Sequence, residues 1–171
     1  MFAIANFEPV VNWVAGHPNY ASVVVFLVSL AESLVVVGLF IPGFLFMGAI
    51  GSLIHLGAIG MLSTMLSAIL GAICGDSISF WVGHNFKRRL YLKWPFYKFP
   101  QWLRRGRLFF MRHGGLSIII GRFVGPVRPF IPVVAGIMSM SPRKFFAANV
   151  ISAVCWAPVY ILPGFALARF I

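Results

Sequence analysis

Residues 121–132 have the sequence GRFVGPVRPFIP, in which two arginines and three prolines interrupt an apolar segment over residues 114–142. If this segment crossed the membrane once, Arg143 and Lys144 would lie outside, against the preference of basic residues for the cytoplasmic side. The prolines favour the alternative, a re-entrant hairpin that enters and leaves from the cytoplasm, because each proline removes a helix donor. The predicted breaks of this hairpin are Pro126, Pro129 and Pro132.

The first half of the chain contains a related segment. Residues 40–42 repeat the triplet FIP of residues 130–132 at an offset of 90 residues. In each half a charged residue precedes the proline of the triplet by ten positions, Glu32 in the first half and Arg122 in the second. Interrupted apolar segments at matching positions are typical of inverted repeats with a binding site near the bilayer midplane. The sequence therefore predicts two inverted repeats, each a re-entrant helical hairpin followed by a long transmembrane helix.

The uncharged run over residues 33–75 supports the same arrangement. Its 43 residues would form a helix about 65 Å long, roughly twice the thickness of the hydrocarbon core. The run must therefore turn, and Pro42 and Gly43 mark the predicted break. We expect a hairpin over residues 20–54 that enters from the outer side, since it and the preceding residues contain no lysine or arginine. A full crossing is expected over residues 56–86.

The composition excludes an ordinary soluble domain. Of the 171 residues, 60% are hydrophobic and only 10% are charged, against about 25% charged residues in a typical soluble protein. The mean hydropathy of +0.94 indicates an all-α integral membrane protein. The net charge of +11 does not indicate a nucleic-acid partner, because the basic residues of such proteins lie on a polar surface.

The basic residues are concentrated in one place. Residues 87–112 hold nine of the fourteen lysines and arginines, interleaved with tryptophan and tyrosine. Basic residues favour the cytoplasmic side and these aromatic residues favour the headgroup region, so a cytoplasmic connector on the membrane surface is predicted. We thus expect a single membrane domain composed of an amphipathic, interfacial N-terminal helix over 1–19, a first repeat over 20–86, this connector, and a second repeat over 113–171.

Four ionisable residues lie inside apolar sequence: Glu32, Asp76, Arg122 and Arg128. Each costs about 2.5 to 3.5 kcal/mol or more on membrane insertion when charged. Two compatible interpretations remain: buried ion pairs that hold the hairpins together, or a polar cavity in which both arginines bind an anion. Arginine presents a planar fork of donors that suits a phosphate, and free N–H groups near Gly43 and after Pro132 would add to it. Glu32 and Asp76 are predicted to carry a proton or to balance charge.

Other residues are given structural roles. Gly71 and Gly75 are expected to permit close helix contact, which also leaves a homodimer open. Phe80, Trp81, Trp156 and Tyr160 are interpreted as packing or interface residues, although the Tyr160 hydroxyl could reach a cavity. The spacing of cysteine and histidine predicts no metal site, and no cofactor is expected.

The segment from Gly121 to Arg128, continuing through Pro132 to Gly136, resembles the signature of the DedA family, also called the VTT or SNARE-associated domain family. Further similarities are Glu32 ahead of Ile41-Pro42-Gly43, the run Gly71-x-x-x-Gly75-Asp76, and the segment Phe145-x-x-x-Asn149 to Trp156. The resemblance implies two opposed re-entrant hairpins in a multi-pass protein of the bacterial inner membrane. It also implies movement of phospholipids or undecaprenyl phosphate between leaflets, coupled to the proton-motive force in bacterial members and by scrambling in eukaryotic relatives.

The same resemblance assigns roles to the four charged residues. Arg122 and Arg128 match the arginine pair of the family, and Glu32 and Asp76 match its acids. Many members carry a carboxylate directly after Pro-Gly, where this chain has Phe44, so proton coupling here would use Glu32 or Asp76.

The predicted function is therefore a lipid flippase or scramblase that binds membrane lipids by an anionic phosphate headgroup. A non-transporting membrane assembly or homeostasis factor is the alternative. An enzyme acting on lipid phosphates is disfavoured, since the Pro-Ser-Gly-His segment of lipid phosphatases does not follow Arg128-Pro129 and the HExxH and Gly-x-Ser-x-Gly motifs are missing.

Overall fold

The computed structural model describes residues 13, 16–35, 37–38, 43–87, 100–124 and 128–168. Within these ranges the chain forms seven helices and no strand, so the predicted all-α class is confirmed for the described residues. The helices are α1 (Pro18–Ser33), α2 (Gly43–His55), α3 (Met61–Phe86), α4 (Pro100–His113), α5 (Leu116–Gly121), α6 (Phe130–Ile137) and α7 (Pro142–Leu167).

Two of these helices, α3 and α7, are long and apolar enough to cross a membrane. Each has 26 residues and is therefore about 39 Å long at about 1.5 Å per residue. The first begins at Met61, later than the expected residue 56, because Gly57 adopts a φ of 72° in the turn before it. The Thr64 hydroxyl then donates to the Gly60 carbonyl at 2.7 Å in the first turn of α3. Pro142 occupies the first turn of α7, where its missing N–H costs no hydrogen bond.

Both predicted breaks separate short helices. In the first half, α1 ends at Ser33 and the chain is helical again from Gly43, the first residue of α2. The predicted break residue Pro42 lies outside the described residues. In the second half, α5 ends at Gly121 and α6 begins at Phe130.

The prolines of the second break have different positions. Pro129 caps the N-terminus of α6, as expected of a residue at the break. Pro132 was predicted at the break but lies in the first turn of α6, buried within the helix. There a proline costs no internal hydrogen bond, so Pro132 is compatible with the start of a helix and does not interrupt one. Pro126 lies outside the described residues.

The short helices pack against both long ones. Helix α1 lies along α3, and α6 packs on another part of α3; α2 and α5 both pack on α7. One buried apolar core joins α1, α2, α3 and α7, with Phe46 and Trp156 among its largest side chains. A second group of buried apolar residues contains Phe80 and Phe145 together with residues of α6. Residues distant in sequence, at the ends of the short helices and the middle of the long ones, are thereby brought together.

Close helix contact at Gly71 and Gly75 is confirmed. A Cβ atom at Gly71 would fall on the Phe26 carbonyl of α1, and one at Gly75 would fall on the Leu30 carbonyl one turn later. The two glycines thus let the backbones of α1 and α3 touch within one chain.

The described part of the basic connector is α4. Its arginines Arg104, Arg105, Arg107 and Arg112 are exposed. Phe109 and Phe110, on the other side of the helix, are partly buried against α6. This helix therefore exposes its arginines and packs its phenylalanines on α6; its predicted place on the cytoplasmic membrane surface stays a prediction. Residues 1–12 of the predicted interfacial helix, and residues 88–99 of the connector, lie outside the described residues.

Candidate functional site

The structure brings Glu32, Asp76, Arg122 and Arg128 into one place, which we call the charged cluster. Glu32 belongs to the last turn of α1 and Asp76 to the middle of α3, while Arg122 directly follows α5 and Arg128 precedes α6. Glu32, Asp76 and Arg122 are buried, with 5%, 7% and 4% of their surface exposed, and the Arg128 side chain is 13% exposed. Charged groups at such depth are stable only when they are paired. Because the structure brings all four predicted site residues together, they form a single site.

The cluster consists of two ion pairs. Arg128 donates from Nη1 to Glu32 Oε1, and Arg122 Nη2 lies against Asp76 Oδ2. Each pair joins an acid of the first half of the chain to an arginine of the second half. The cluster as a whole is neutral, which lowers the cost of placing four charged groups inside apolar helices.

Asn149 of α7 extends the network. Arg122 donates from Nη2 to Asn149 Oδ1 at 3.4 Å, and Asn149 donates from Nδ2 to the Ile73 carbonyl at 3.2 Å. A completely buried amide that accepts from a guanidinium and donates to a backbone carbonyl fixes the position of both groups. Asn149 therefore holds Arg122 between α3 and α7.

Trp156 forms an aromatic wall of the cluster. It is fully buried, and its ring centroid lies 4.8 Å from Cζ of Arg128 and 5.6 Å from Cζ of Arg122. Tyr160, one helical turn later, lies 5.6 Å from the same atom of Arg128. A guanidinium within about 6 Å of an aromatic centroid is attracted by the ring quadrupole. Both arginines are thus oriented by one indole as well as by their carboxylates.

The sequence indicated these aromatic residues only weakly. Trp156 and Tyr160 were interpreted as packing or interface residues, and Asn149 only as part of a family motif. Asn149, Trp156 and Tyr160 are separated by seven and four positions, the spacing that places residues on one helix face. That polar and aromatic stripe was the available signal, but aromatic residues in an apolar helix are ordinarily core residues.

The cluster contains buried polar atoms without partners. In the described part of the chain six buried side-chain polar atoms make no hydrogen bond. Five belong to the cluster, its indole or the adjacent serine: Glu32 Oε2, Ser33 Oγ, Arg122 Nη1, Arg128 Nη2 and Trp156 Nε1. Three of these atoms are donors on side chains that touch one another. Buried donors are nearly always satisfied in native proteins, so this site has the chemistry to hold an additional acceptor.

The described ranges contain no cluster of side chains that is suited to bind a metal ion. Among those residues, no three histidine, cysteine or acidic side chains are grouped so that they could hold a metal ion. Cys74 and Cys155 are both exposed and free.

The fold and the charged cluster define a helical membrane protein with paired ionisable groups buried between its helices. A model of the VTT domain matches residues 41–166. The chain belongs to the VTT-domain family, the DedA family that its arginine motif resembles.

Three relatives illustrate the similarity. The inner membrane protein YabI of Escherichia coli K12 is 40% identical over 146 residues, which are 85% of this chain and 57% of YabI. Protein DedA of the same strain is 34% identical over 157 residues, 89% of this chain and 71% of DedA. The inner membrane protein YqjA of that strain is 27% identical over 150 residues, 85% of this chain and 67% of YqjA. The chain thus matches little more than half the length of YabI. No solved structure matches.

Proposed function

We propose that the protein moves a phosphate-bearing lipid between the two leaflets of a bacterial inner membrane, as a flippase or scramblase. The observation that carries this proposal is the set of three unpartnered, buried donors at Arg122 Nη1, Arg128 Nη2 and Trp156 Nε1. Each buried donor left unsatisfied costs about 1 to 3 kcal/mol. A phosphate offers several acceptor oxygens and a charge that suits arginine. A phospholipid and undecaprenyl phosphate share this chemistry.

The packing supports opposed re-entrant hairpins and inverted repeats. In the first half, α1 packs on the long helix of its own repeat, α3, and α2 packs on α7. In the second half, α5 packs on α7 and α6 packs on α3. In each half the first short helix packs on the long helix of its own repeat, and the second packs on the long helix of the other repeat. A two-fold axis in the membrane plane would generate this arrangement. Glu32 and Arg122, at the ends of α1 and α5, then occupy equivalent positions near the midplane.

Charge balance supports coupling to protons. The cluster is neutral when both pairs are ionised, so an added phosphate would leave an uncompensated negative charge inside the protein. Protonation of Glu32 or Asp76 would release its arginine and restore the balance. We propose that one of these carboxylates takes up a proton when the lipid phosphate binds and returns it when the lipid leaves.

The positions of the basic residues indicate how the protein is oriented in the membrane. The exposed arginines of α4 and the exposed Arg143 and Lys144 at the start of α7 would lie on the cytoplasmic side. Two relatives are named inner membrane proteins. We propose a multi-pass inner membrane protein whose connector over residues 87–112 is cytoplasmic.

A second candidate is a non-transporting assembly factor. The ion pairs themselves favour it, because they join the two halves of the chain whether or not anything binds between them. Replacement of the whole cluster by uncharged residues distinguishes the transporter from the assembly factor. The protein is proposed to be a transporter and not an enzyme; release of inorganic phosphate from lipid phosphates by the purified protein would contradict this.

The proposed function is tested by reconstitution into liposomes. Fluorescently labelled phosphatidic acid and labelled undecaprenyl phosphate would be placed in one leaflet, and their appearance in the other followed by chemical quenching. We expect faster equilibration than in protein-free liposomes for at least one of the two lipids, and an effect of a pH gradient if protons are coupled. Equal rates with and without protein for both lipids would overturn the proposal.

Replacing Trp156 by phenylalanine tests the third donor. The substitution keeps an aromatic ring beside the arginines but removes the N–H. A hydrogen bond to a charged group contributes about 1.5 to 3 kcal/mol, so we expect the affinity for phosphatidic acid to fall by about tenfold or more. The control is Trp81→Phe, at a tryptophan of α3 that is 50% exposed. An unchanged affinity together with a raised unfolding temperature would show that the indole N–H never meets the phosphate.

A further inference from the structure

An apolar cavity of about 430 Å³ lies between α2 and the C-terminal half of α7. Leu45 and Gly48 of α2 and Val159, Pro163 and Leu167 of α7 contribute to its wall. This volume lies within the range of about 300 to 1,000 Å³ typical of small-molecule sites. The cavity is thus of a suitable size for a ligand with little polar surface.

The hydroxyl of Ser52, one of the polar side chains in the cavity wall, already has acceptors. The Ser52 hydroxyl lies within 3.4 Å of the Gly48 carbonyl and 3.3 Å of the Gly164 carbonyl. The hydroxyl thereby has a carbonyl acceptor on each of the two helices, whose backbones touch at Gly48 and Gly164. An occupant consequently gains more from apolar contact than from hydrogen bonds.

Tyr160 connects this cavity to the charged cluster. It is one of the residues of the cavity wall, and its ring lies 5.6 Å from the guanidinium carbon of Arg128 and 5.1 Å from the Trp156 ring centroid. The apolar cavity and the proposed phosphate site therefore meet at one aromatic residue.

The cavity extends along α7 from the depth of the cluster toward one membrane surface. Leu167 follows Trp156 by eleven positions, which corresponds to about 16 Å along a helix, or half of a hydrocarbon core. This end of α7 is opposite to Arg143 and Lys144. Val159 and Leu167, which are 53% and 62% exposed, lie at the rim of the cavity, so its opening faces the surroundings of the helices.

We propose that this cavity binds a hydrocarbon chain of the lipid whose phosphate binds at the charged cluster. The inference rests on the proposed function and adds a second part to its site. A lipid held in this way has its phosphate near the midplane and its chain along α7 in the outer half of the membrane. Headgroup and chain are then recognised at two sites that meet at Tyr160, and chain length and bulk contribute to substrate selection.

Gly48→Leu is the variant that fills the cavity. Gly48 belongs to the cavity wall and a Cβ atom there meets nothing within 4 Å, so we expect a leucine side chain at this position to occupy the cavity. Leucine also favours helix more than glycine does, and α2 is expected to remain folded. The matched control is Ala147→Leu, which adds a leucine at an exposed position near the opposite end of α7.

The experiment uses photo-crosslinking in liposomes. One probe is phosphatidic acid with a diazirine in the middle of an acyl chain, and the other is diacylglycerol with the same chain and no phosphate. Because only phosphatidic acid can bind the arginines of the cluster, we expect it to label α2 and residues 159–167 about tenfold more than diacylglycerol does. Gly48→Leu should remove this excess, whereas Ala147→Leu should retain it.

Two results would overturn the inference. Equal labelling by the two probes would show that the cavity takes any bilayer chain. Unchanged labelling by phosphatidic acid in Gly48→Leu would show that the chain does not enter the cavity. In either case lipid translocation by the wild-type protein, measured separately, shows whether the proposed function survives. If translocation is absent but Gly48→Leu still removes the excess labelling, the cavity remains a lipid site and the transport proposal fails.

Discussion

Removing all four charges of the cluster is expected to reduce the translocation of a lipid phosphate by about a hundredfold or more. The variant combines Glu32→Gln, Asp76→Asn, Arg122→Gln and Arg128→Gln, so that a polar side chain remains at each position and no buried charge is left unpaired. The loss of two arginine contacts to a phosphate, at about 1.5 to 3 kcal/mol each, corresponds to this factor. The measurement is the rate of leaflet exchange in liposomes.

The control for this variant removes two positive charges elsewhere. Arg143 and Lys144 are exposed at the start of α7, and Arg143→Gln with Lys144→Gln is expected to leave the exchange rate within about twofold, because exposed charges contribute little. A fourfold variant that folds and still exchanges lipid at the wild-type rate would exclude the phosphate site. If it also supported growth in cells that depend on the protein, the assembly factor would be the better interpretation.

The second large effect is expected on stability. Asp76→Leu leaves the Arg122 guanidinium buried without its carboxylate, and removing one partner of a buried pair costs about 3 to 5 kcal/mol in the free energy of unfolding. Adding Arg122→Leu to the same chain should recover most of that loss, since apolar replacements for a buried pair are often neutral or stabilising. Denaturant titration of the protein in detergent micelles measures both values.

The double variant separates stability from function. Although its free energy of unfolding should recover, its lipid exchange should stay low, because the Arg122 donor to the phosphate is missing. A double variant as unstable as Asp76→Leu would show that the pair is not the origin of the loss. A double variant that exchanges lipid normally would show that Arg122 holds the fold together and binds no phosphate.

Several features of this protein follow from its sequence. The two long helices can be predicted because an apolar run of that length is typical of a membrane-spanning helix. The four cluster residues can be predicted because an ionisable side chain in such a run requires a partner or a function. Which acid pairs with which arginine does not follow from the sequence. The pairing depends on how the helices of the two halves pack, and the cluster residues are far apart along the chain.

Other features could not be predicted for physical reasons. Pro132 was placed at the break because proline usually ends a helix, yet proline also suits a first turn, and sequence alone does not distinguish the two positions. Trp156 was interpreted as a packing residue because its neighbours in sequence are apolar. Its role at the cluster depends on Arg122 and Arg128, which reach it only when the helices beside them have packed in the folded chain.

The pairing of acids from one half with arginines from the other has a consequence for biogenesis. Synthesis proceeds from the N-terminus, so Glu32 and Asp76 reach the membrane before Arg122 and Arg128 have been made. Until then the two carboxylates lack the arginines with which they pair in the folded protein, and we expect them to be protonated, solvated or shielded by the insertion machinery. We therefore expect the first half to reach its final position only when the second half has been inserted. The chain is expected to mature as one unit, and a truncated product that ends before residue 122 should be recognised as unassembled and degraded.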